Sequence, residues 1–311
     1  MKLSSFAKIN WHLRILGKRP DGYHEVLTVL QTVSLHDDLT FELREDGKLV
    51  LTCDDPDIPT DESNLIVKAA LALRDRLQSA SGAEIKLKKR IPPKAGLGGA
   101  SSNAAVALLA LNVLWNGALG IEDLLPVAAR LGADVPFFLS GGRSTATGTG
   151  TDIFPLPDGP KQRLIIITPN AAVSTANAYA SLNAASLTTS NSDSILSSSL
   201  AELFSADSRQ WPLRNDFERV IFEIEPEIRR AKIALQEAGA RGALLAGSGS
   251  SVFGIFDDEA ARDCALNNLR REAGWRVFSC DTLAREDYFR AMNSSGSPLF
   301  TLLKLQSDTG A

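Results

Sequence analysis

The sequence predicts an α+β fold arranged in two domains. Strand-like and helix-like patterns are mixed along the chain without strict alternation, which favours α+β over a doubly wound parallel sheet. A length of 311 residues is long for one core and sufficient for two ordinary domains. A Gly/Ser/Thr-rich stretch and three prolines within residues 141–160 mark a boundary. We therefore expect one domain over residues 1–157, a second over 158–287, and a flexible tail over 288–311.

The first half of the chain contains both kinds of pattern. Alternating or apolar runs predict strands at 3–16, 26–35, 39–43, 49–52 and 83–87. Apolar residues at helical spacing predict helices at 64–77, 102–114 and 121–131. We expect Ser63 to cap the first of these helices, and Gly132 and Pro136 to end the last.

The second half is less regular. The patterns predict a buried strand at 164–168, an amphipathic helix over 217–236, and a strand–loop–strand unit over 242–256. Residues 181–208 are dominated by Ser, Asn, Ala and Leu, which predicts a helical excursion with mobile loops. After about Asp287 the pattern loses definition.

Composition excludes several classes of protein. With 44% hydrophobic and 23% charged residues, the chain is typical of soluble globular proteins. A net charge of -4 argues against a nucleic-acid surface. The longest apolar run, 104–115, is shorter than the roughly 20 residues of a membrane span. The basic run at 86–90 is explained either by a solvated strand edge or by attraction of a polyphosphate.

Cysteine usage indicates a reducing compartment. Cys53, Cys264 and Cys280 are widely spaced, so they predict neither a disulfide framework nor a zinc site. The three histidines form no metal-ligand cluster by spacing, and no protein-built metal site is expected. Polar residues interrupt the N-terminus at once, and we therefore expect no signal peptide and a cytoplasmic location.

The most informative segment is a Gly-rich loop at 92–105 that runs into an alanine- and leucine-rich helix. Glycines allow backbone N–H groups to point inward, and the helix presents its positive end to the same space. The loop is therefore predicted to hold an anion, most simply a nucleotide phosphate. It is not a Walker A loop, because no Gly-Lys-Ser/Thr follows the glycines. The alternative is a connector in which Ser101 or Ser102 merely caps the helix.

Two polar pairs near the N-terminus are candidate site residues. Lys8 and Asn10 share one face of a strand, because side chains alternate. Tyr23 and His24 follow a turn and supply a ring and an imidazole. Taken alone, the first pair fits a solvent-facing edge, and the second fits a packed tyrosine with a surface histidine.

Two further segments complete the set. Asp134 lies between small residues and a proline, where a carboxylate is held rigidly at a helix terminus or simply caps the helix. The Gly/Ser loop at 245–251 connects two apolar runs. It is explained either by a tight turn or by a second backbone clamp for phosphate.

Together these elements resemble the GHMP small-molecule kinase superfamily. The loop at 92–105 is similar to its phosphate motif, and the loop at 245–251 to its third motif. Within the superfamily the match narrows to the 4-diphosphocytidyl-2-C-methyl-D-erythritol kinase family. That match rests on Phe6-Ala7-Lys8-Ile9-Asn10, Arg19-Pro20-Asp21-Gly22-Tyr23-His24, Asn64-Leu65-Ile66-Val67, Gly98 to Ala105, Gly132 to Pro136 and Asn215-Asp216-Phe217-Glu218. It runs from about residue 4 to about residue 280.

The resemblance implies a fold and an activity. The fold would be a two-domain GHMP kinase, with a ribosomal-protein-S5-like N-terminal domain and a ferredoxin-like α/β sandwich at the C-terminal side. The family uses ATP to phosphorylate the 2-hydroxyl of a cytidine-diphosphate-linked methylerythritol, in the non-mevalonate isoprenoid route. The implied partner is this small molecule, with no nucleic acid and no membrane, and we expect a monomer or homodimer.

The resemblance also implies the catalytic residues. Asp134 would take the proton from the attacking hydroxyl, and Lys8 would hold that hydroxyl and offset charge on the transferring phosphoryl group. A carboxylate beside an ammonium is a weak base. A loose transition state needs little base strength, so the pair suits phosphoryl transfer.

The remaining site residues follow from the same resemblance. Tyr23, His24 and Tyr179 would bind the cytidine end, and Asn10 the erythritol part, with Gly247, Ser248 and Gly249 also on the substrate side. The ATP phosphates would lie, with Mg²⁺, on Pro92, Pro93, Lys94, Ala95, Gly96, Leu97, Gly98, Gly99, Ala100, Ser101 and Ser102. Asn64 and Lys89 would contact the adenine side. The loop departs from the family at Ala100, where many members have glycine, and at Lys94, which would touch a phosphate or point to solvent.

Two other functions fit parts of the pattern. A GHMP kinase for a different alcohol is disfavoured by Gly22-Tyr23-His24, a segment that suits cytosine. A non-catalytic binding protein of the same fold is disfavoured because it would have no chemical need for both Lys8 and Asp134.

Overall fold

The computed structural model describes residues 1–171, 173–182, 184–185, 192–205 and 213–293. Its strands are β1 (Lys2–Lys18), β2 (His24–Arg44), β3 (Leu49–Cys53), β4 (Gly82–Lys88), β5 (Arg143–Thr147), β6 (Asp152–Pro155), β7 (Arg163–Pro169), β8 (Arg214–Asn215), β9 (Gly242–Leu245), β10 (Val252–Phe256) and β11 (Trp275–Asp281). Its helices are α1 (Leu65–Leu77), α2 (Gly99–Leu114), α3 (Ile121–Leu131), α4 (Val135–Ser140), α5 (Thr175–Ser181), α6 (Ser192–Ser205), α7 (Glu218–Ile224), α8 (Pro226–Glu237), α9 (Glu259–Leu269) and α10 (Arg285–Met292).

The strands form two sheets. The first has the order β3-β4-β2-β1-β8, and β5 pairs with β2 and with β6 beside this path. Strands β1 and β2 are antiparallel over nearly their full length, whereas β3 and β4 are parallel. The second sheet has the order β11-β7-β10-β9 and is antiparallel throughout. The fold is thus α+β, as the sequence predicts, and the division at residue 157 stays a prediction.

The two sheets pack against each other through a shared apolar layer. This layer contains Ile9 and Val29 of the first sheet and Ile166 and Phe253 of the second. The outer face of the first sheet packs against α1 and α2, and that of the second against α7, α8 and α9. Helix α2 is apolar on nearly all sides, which is typical of a helix enclosed by its own domain.

Three details of the predicted elements are corrected by the structure. The strands predicted at 26–35 and 39–43 are one strand, β2, because the mid-strand carboxylate of Asp37 is buried and fully hydrogen-bonded. Asn64, not Ser63, caps α1, and its Oδ1 accepts the N–H of Ile66 at 2.8 Å. The helix predicted at 217–236 is divided into α7 and α8 at Pro226, which lacks an N–H and begins the second helix.

The predicted tail begins too early. Residues 288–293 belong to α10 and its cap, and Tyr288 is fully buried in the apolar core between the first sheet and helices α1 and α2. Residues 294–311 lie outside the described part of the chain. Within the excursion predicted at 181–208, α6 is helical, while residues 183, 186–191 and 206–208 also lie outside the described part of the chain.

No helix in the described part of the chain combines the length and the apolar character that crossing a bilayer requires.

Candidate active site

A cleft of about 1080 Å³ brings together most of the predicted site residues. Those that line it are Lys8, Asn10, Tyr23, His24, Lys94, Gly96, Gly98, Ser101, Asp134, Tyr179, Gly247, Ser248 and Gly249. Those that do not are Asn64, Lys89, Pro92, Pro93, Ala95, Leu97, Gly99, Ala100 and Ser102. Six separate stretches of sequence, at 8–10, 23–24, 94–101, 134, 179 and 247–249, therefore meet in one place.

The centre of the cleft is an ion pair between β1 and the start of α4. The Nζ of Lys8 lies 3.4 Å from Oδ2 of Asp134, and the lysine side chain is 5% exposed against 36% for the aspartate. Asp134 occupies the N-cap position of α4, but its side chain makes no capping hydrogen bond. The simple capping explanation is therefore wrong, and the carboxylate faces the cleft beside an ammonium.

The Lys8 ammonium is aligned by hydrogen bonds within the sheet. It donates to Oδ1 of Asn10 at 2.9 Å, and the Nδ2 of Asn10 donates to Oγ1 of Thr28 at 2.8 Å. Lys8 and Asn10 are both buried, so the solvent-facing edge considered for them is wrong. The Lys8 ammonium, held by Asn10 Oδ1 and Asp134 Oδ2, therefore has a fixed position at the wall of the cleft.

The Gly-rich loop alternates between lining and anchoring residues. Lys94, Gly96 and Gly98 line the cleft, whereas Ala95 and Leu97 are buried in the layer between the sheets. The backbone N–H of Lys8 donates to the Leu97 carbonyl at 2.9 Å, which joins the loop to β1. The anchoring residues thus hold the loop so that the others face the cleft.

The loop ends in an uncapped helix N-terminus. Gly98 is the N-cap of α2 with φ of 69° and no side-chain hydrogen bond, so the first N–H groups remain available to a ligand. Ser101 and Ser102 lie inside the first turn rather than at the cap, and Ser102 Oγ accepts from Ser5 Oγ at 2.7 Å. The capping alternative for these serines is therefore wrong. Open N–H groups at the positive end of a buried helix bind anions.

The second glycine loop packs directly on the first. A Cβ placed on Gly96 would lie 2.0 Å from the carbonyl oxygen of Ala246. One placed on Gly247 would lie 2.9 Å from the carbonyl oxygen of Gly96 and 3.2 Å from Lys8 Nζ. The glycines are therefore required for close approach of the two backbones, and the loop at 245–251 is more than a tight turn.

An aromatic group forms another wall of the cleft. The rings of His24 and Tyr179 are 4.8 Å apart at 32°, and Tyr179 meets Phe217 edge-on at 4.8 Å. Tyr23 is 67% exposed beside them, so it is not the packed tyrosine considered from the sequence. A half-buried ring pair with an exposed third ring suits a planar base.

Burial shifts the titration of both ring residues. Desolvation, and to a smaller extent the Lys18 ammonium, lowers the pKa of His24 below its usual 6.5. Desolvation, with a smaller contribution from the Asp134 carboxylate, raises the pKa of Tyr179 to about 12. At neutral pH the imidazole is therefore neutral and the phenol keeps its proton.

Lys89 and Asn64 have other roles in the structure. Lys89 Nζ forms a buried ion pair with Asp37 at 2.7 Å and also donates to the Ile91 carbonyl. Asn64 caps α1 and donates to the Pro59 carbonyl at 2.7 Å. The predicted adenine contact of Lys89 is therefore not supported, because its charge is already neutralised away from the cleft.

Two residues that shape the site were given no role in the sequence analysis. Asp37 accepts the N–H groups of Arg90 and Ile91 at 2.7 and 2.8 Å and the Nδ2 of Asn103 at 3.0 Å, which joins the start of the Gly-rich loop to α2. The Nδ2 of Asn215 donates to the carbonyls of Leu245 and Gly247 at 2.9 and 2.7 Å. The available signal for Asp37 was a carboxylate in the short gap between the strands predicted at 26–35 and 39–43.

The described residues contain no group of three or more His, Cys, Asp or Glu side chains that could hold a metal ion.

Comparison with known proteins gives a consistent result. The GHMP kinases N terminal domain matches residues 64–142, and the GHMP kinases C terminal family matches residues 192–274. A 4-diphosphocytidyl-2-C-methyl-D-erythritol kinase of Solibacter usitatus (strain Ellin6076) is 41% identical, covering 88% of this chain and 87% of that protein. One of Syntrophus aciditrophicus (strain SB) is 40% identical, with 89% and 98% covered.

Solved structures agree. A crystal structure of a 4-(cytidine 5'-diphospho)-2C-methyl-D-erythritol kinase superposes with a TM-score of 0.74 at 32% identity, covering 91% of this chain and 99% of that one. Homoserine kinase from Cytophaga hutchinsonii superposes with a TM-score of 0.66 at 22% identity, over 91% and 95% of the two chains. The second likeness shows a common fold alone.

Proposed function

This chain belongs to the 4-diphosphocytidyl-2-C-methyl-D-erythritol kinase family of the GHMP kinases, and we propose that it phosphorylates the 2-hydroxyl of 4-diphosphocytidyl-2-C-methyl-D-erythritol. As a GHMP kinase it uses ATP and acts on a small molecule. The products would be the 2-phosphate and ADP, in the non-mevalonate route to isoprenoid precursors. One observation carries the proposal: the Lys8–Asp134 pair lines the same cleft as the Gly-rich loop and the aromatic residues His24 and Tyr179.

The reacting atoms would meet at the ion pair. Asp134 would accept the proton of the substrate 2-hydroxyl. The hydroxyl oxygen would form a bond to the γ-phosphorus of ATP while the bond between the γ-phosphorus and the β–γ bridging oxygen breaks. ADP leaves with the electrons of that broken bond. Lys8 would hold the attacking oxygen and offset charge on the transferring group. Phosphoryl transfer depends more on positioning and electrostatic stabilisation than on base strength, which suits a carboxylate beside an ammonium.

The ATP side would use the Gly-rich loop. Phosphate oxygens would accept the open N–H groups at the start of α2 and face Gly96, Gly98 and Ser101, all of which line the cleft. Lys94 also lines the cleft, at the exposed end of the loop, which favours a phosphate contact over a purely solvent-facing role. The buried Ala95 and Leu97 would act as anchors and not as contacts.

The cytidine side would use the aromatic wall. Neutral His24 has one ring nitrogen that donates and one that accepts, which matches the mixed edge of cytosine. Tyr179 and Tyr23 offer ring faces for stacking. Asn10 keeps one amide proton and one lone-pair direction for the erythritol hydroxyls after its bonds to Lys8 and Thr28.

Magnesium would bind together with ATP. The Ser101 hydroxyl lines the cleft at the first turn of α2, and an oxygen donor of this kind fits Mg²⁺, which takes few protein ligands and several phosphate and water oxygens. When bound, the ion would neutralise charge on the phosphates.

We further infer a cytoplasmic enzyme that acts without nucleic acid or membrane, as a monomer or homodimer. Three unpaired cysteines support the reducing compartment, and the net charge of -4 supports the absence of a nucleic-acid partner.

A coupled assay of ADP release with Mg²⁺ and ATP tests the function. The protein is offered 4-diphosphocytidyl-2-C-methyl-D-erythritol, homoserine, galactose and mevalonate in parallel. Release with the first alcohol alone is the expected result. Release with another alcohol would retain the kinase and overturn the roles of Tyr23 and His24. Silence with all four would favour a non-catalytic binding protein.

A further inference from the structure

Thr28 is a buried residue of the cleft for which neither the family resemblance nor the mechanism above provides a role. It lies on β2 opposite Leu13 of β1, is 5% exposed, and lines the cleft beside Asn10. Its hydroxyl contacts two groups of β1. Both contacts are short, and together they determine what the hydroxyl oxygen can do.

The hydroxyl has one proton, and the structure shows where it goes. Thr28 Oγ1 donates to the backbone carbonyl of His12 at 2.7 Å. Because a carbonyl oxygen has no proton to give, the hydroxyl must be the donor in this bond. Toward any other neighbour Thr28 therefore acts only as an acceptor.

This restriction orients the Asn10 amide. The group facing Thr28 Oγ1 at 2.8 Å must be a donor, so it is Nδ2 and not Oδ1. The opposite end, Oδ1, then faces Lys8 Nζ at 2.9 Å. The reversed amide would place an NH₂ group against an ammonium and an oxygen against an oxygen with no proton between them.

The orientation of Asn10 in turn directs the lysine. One ammonium proton of Lys8 is taken by Asn10 Oδ1, and a second faces Asp134 Oδ2 at 3.4 Å. The third is left for a ligand in the cleft. Without the Asn10 acceptor, the ammonium would have no partner on its buried side to hold it at that angle.

We propose that Thr28 is a positioning residue for phosphoryl transfer, which acts through Asn10 by setting its amide orientation and so aiming the Lys8 ammonium at the reacting oxygens. This rests on the proposed function, because it assigns Lys8 a role at the transferring group. Thr28 itself touches no reacting atom. Its effect should therefore appear in kcat more than in the KM for ATP.

The test is a double-mutant cycle on the full chain, with Thr28→Val, Asn10→Ala and the combined variant. Valine has the shape of threonine without the acceptor. We expect Thr28→Val to lower kcat about ten- to a hundredfold, the usual effect of removing a group that orients a reacting side chain. In the Asn10→Ala background the same change should cost less than about twofold, because the residue through which it acts is gone.

Thr28→Ser is the matched control, because it keeps the hydroxyl and should retain kcat within about threefold of wild type. Thr28→Ala serves in place of valine if the latter fails to fold, and melting temperatures are recorded for every variant. An equal loss of kcat in both backgrounds, or a loss in Thr28→Ser as large as in Thr28→Val, overturns the proposal. A melting temperature that falls while kcat is unchanged also overturns it.

Failure of the proposed function gives a different result. Suppose that wild-type protein releases no ADP with the cytidine substrate and yet releases it with another alcohol. That result overturns the substrate assignment only, and the double-mutant cycle is then run with that alcohol. Silence of the wild type with every alcohol overturns both.

Discussion

Lys8 and Asp134 come from the first strand and from the start of the short helix α4, yet their charged atoms are 3.4 Å apart. A glycine from a third segment completes the enclosure, since a Cβ on Gly247 would lie 3.2 Å from Lys8 Nζ. The lysine is buried in the sheet while the carboxylate keeps access to the cleft. The pair is therefore arranged to act on a ligand, and it is open to direct tests.

Replacing the carboxylate of Asp134 tests the proposed base. Asp134→Asn should lower kcat about 10²- to 10⁴-fold, the usual contribution of a positioned acid–base group. The fold should survive, because the carboxylate makes no capping bond. ADP release and the melting temperature are measured together, with Asp57→Asn on an exposed loop as the control. A rate like that of wild type would exclude Asp134 as the base.

The interlocked glycine loops allow a prediction with a closely matched control. Gly96→Ala would place a methyl group 2.0 Å from the Ala246 carbonyl at φ of +76°. It should lower the free energy of unfolding by about 2–5 kcal/mol, as left-handed strain and overpacking add, and should weaken ATP binding. Urea denaturation and nucleotide titration are the measurements.

Gly239→Ala is the control for that change. Its φ is +94°, but a Cβ there meets no atom within 4 Å, so only backbone strain of about 1–2 kcal/mol remains. Nucleotide binding should be unchanged in this variant. Equal effects of the two substitutions would show that strain alone, and not contact between the loops, makes Gly96 necessary.

The sequence indicated which residues meet in the cleft better than it indicated the hydrogen bonds that hold them there. Lys8, Asp134 and the glycine loops are visible because their residue types are unusual where they occur. The alternation of the phosphate loop is also present in the sequence, since apolar Ala95 and Leu97 separate the residues that line the cleft. The sequence patterns do not show which strands pair, and so they do not show which side chains become neighbours.

Asp37, Asn215 and Thr28 act over long sequence separations. Asp37 accepts hydrogen bonds from residues 52 to 66 positions away in the sequence, and Asn215 donates hydrogen bonds to carbonyls 30 and 32 positions away. Such contacts follow from strand pairing, which local patterns do not encode. The same limit explains why α10 was not predicted, because its mostly polar sequence hides the fully buried Tyr288.

Lys89 can be tested as a structural cation against the adenine contact first predicted for it. Lys89→Met removes one partner of a buried pair and should lower the free energy of unfolding by about 3–5 kcal/mol, because Asp37 loses its cation. The KM for ATP of the folded fraction should change little. Lys86→Met on the exposed face of β4 is the control and should leave the free energy of unfolding nearly unchanged, because solvent screens its ion pair. A tenfold rise in KM for ATP at unchanged stability would restore the adenine contact.

The imidazole of His24 gives the site a defined pH dependence. Because its pKa is lowered in the folded protein, the ring is neutral above 6.5 and gains a proton only below that value. Protonation leaves two donors and no acceptor, so the KM for the cytidine substrate should be flat from pH 8 to 6.5 and rise in more acid solution. His24→Gln should remove this rise. A KM that rises toward alkaline pH instead would contradict the assignment.

The same shift has a consequence for stability. Between the lowered pKa and 6.5, the unfolded chain binds a proton at His24 that the folded protein does not. The contribution of His24 to stability is therefore fully present above pH 6.5 and is lost as the pH falls through that window. Denaturation of wild type and His24→Gln at pH 7.5 and at pH 5.5 measures it, and the variant should lose less stability on acidification.

Tyr288 tests whether α10 is part of the core. Its hydroxyl donates to the buried carbonyl of Phe138 in α4 at 2.6 Å, and its ring fills the space over Gly141. Tyr288→Phe keeps the ring and leaves the carbonyl unpaired, so it should lower the free energy of unfolding by about 1–3 kcal/mol. Arg290→Ala on the exposed face of α10 should change it by at most about 0.5 kcal/mol. Equal and negligible effects of both would mean that α10 adds nothing to the core and would favour the flexible tail that the sequence predicts from residue 288.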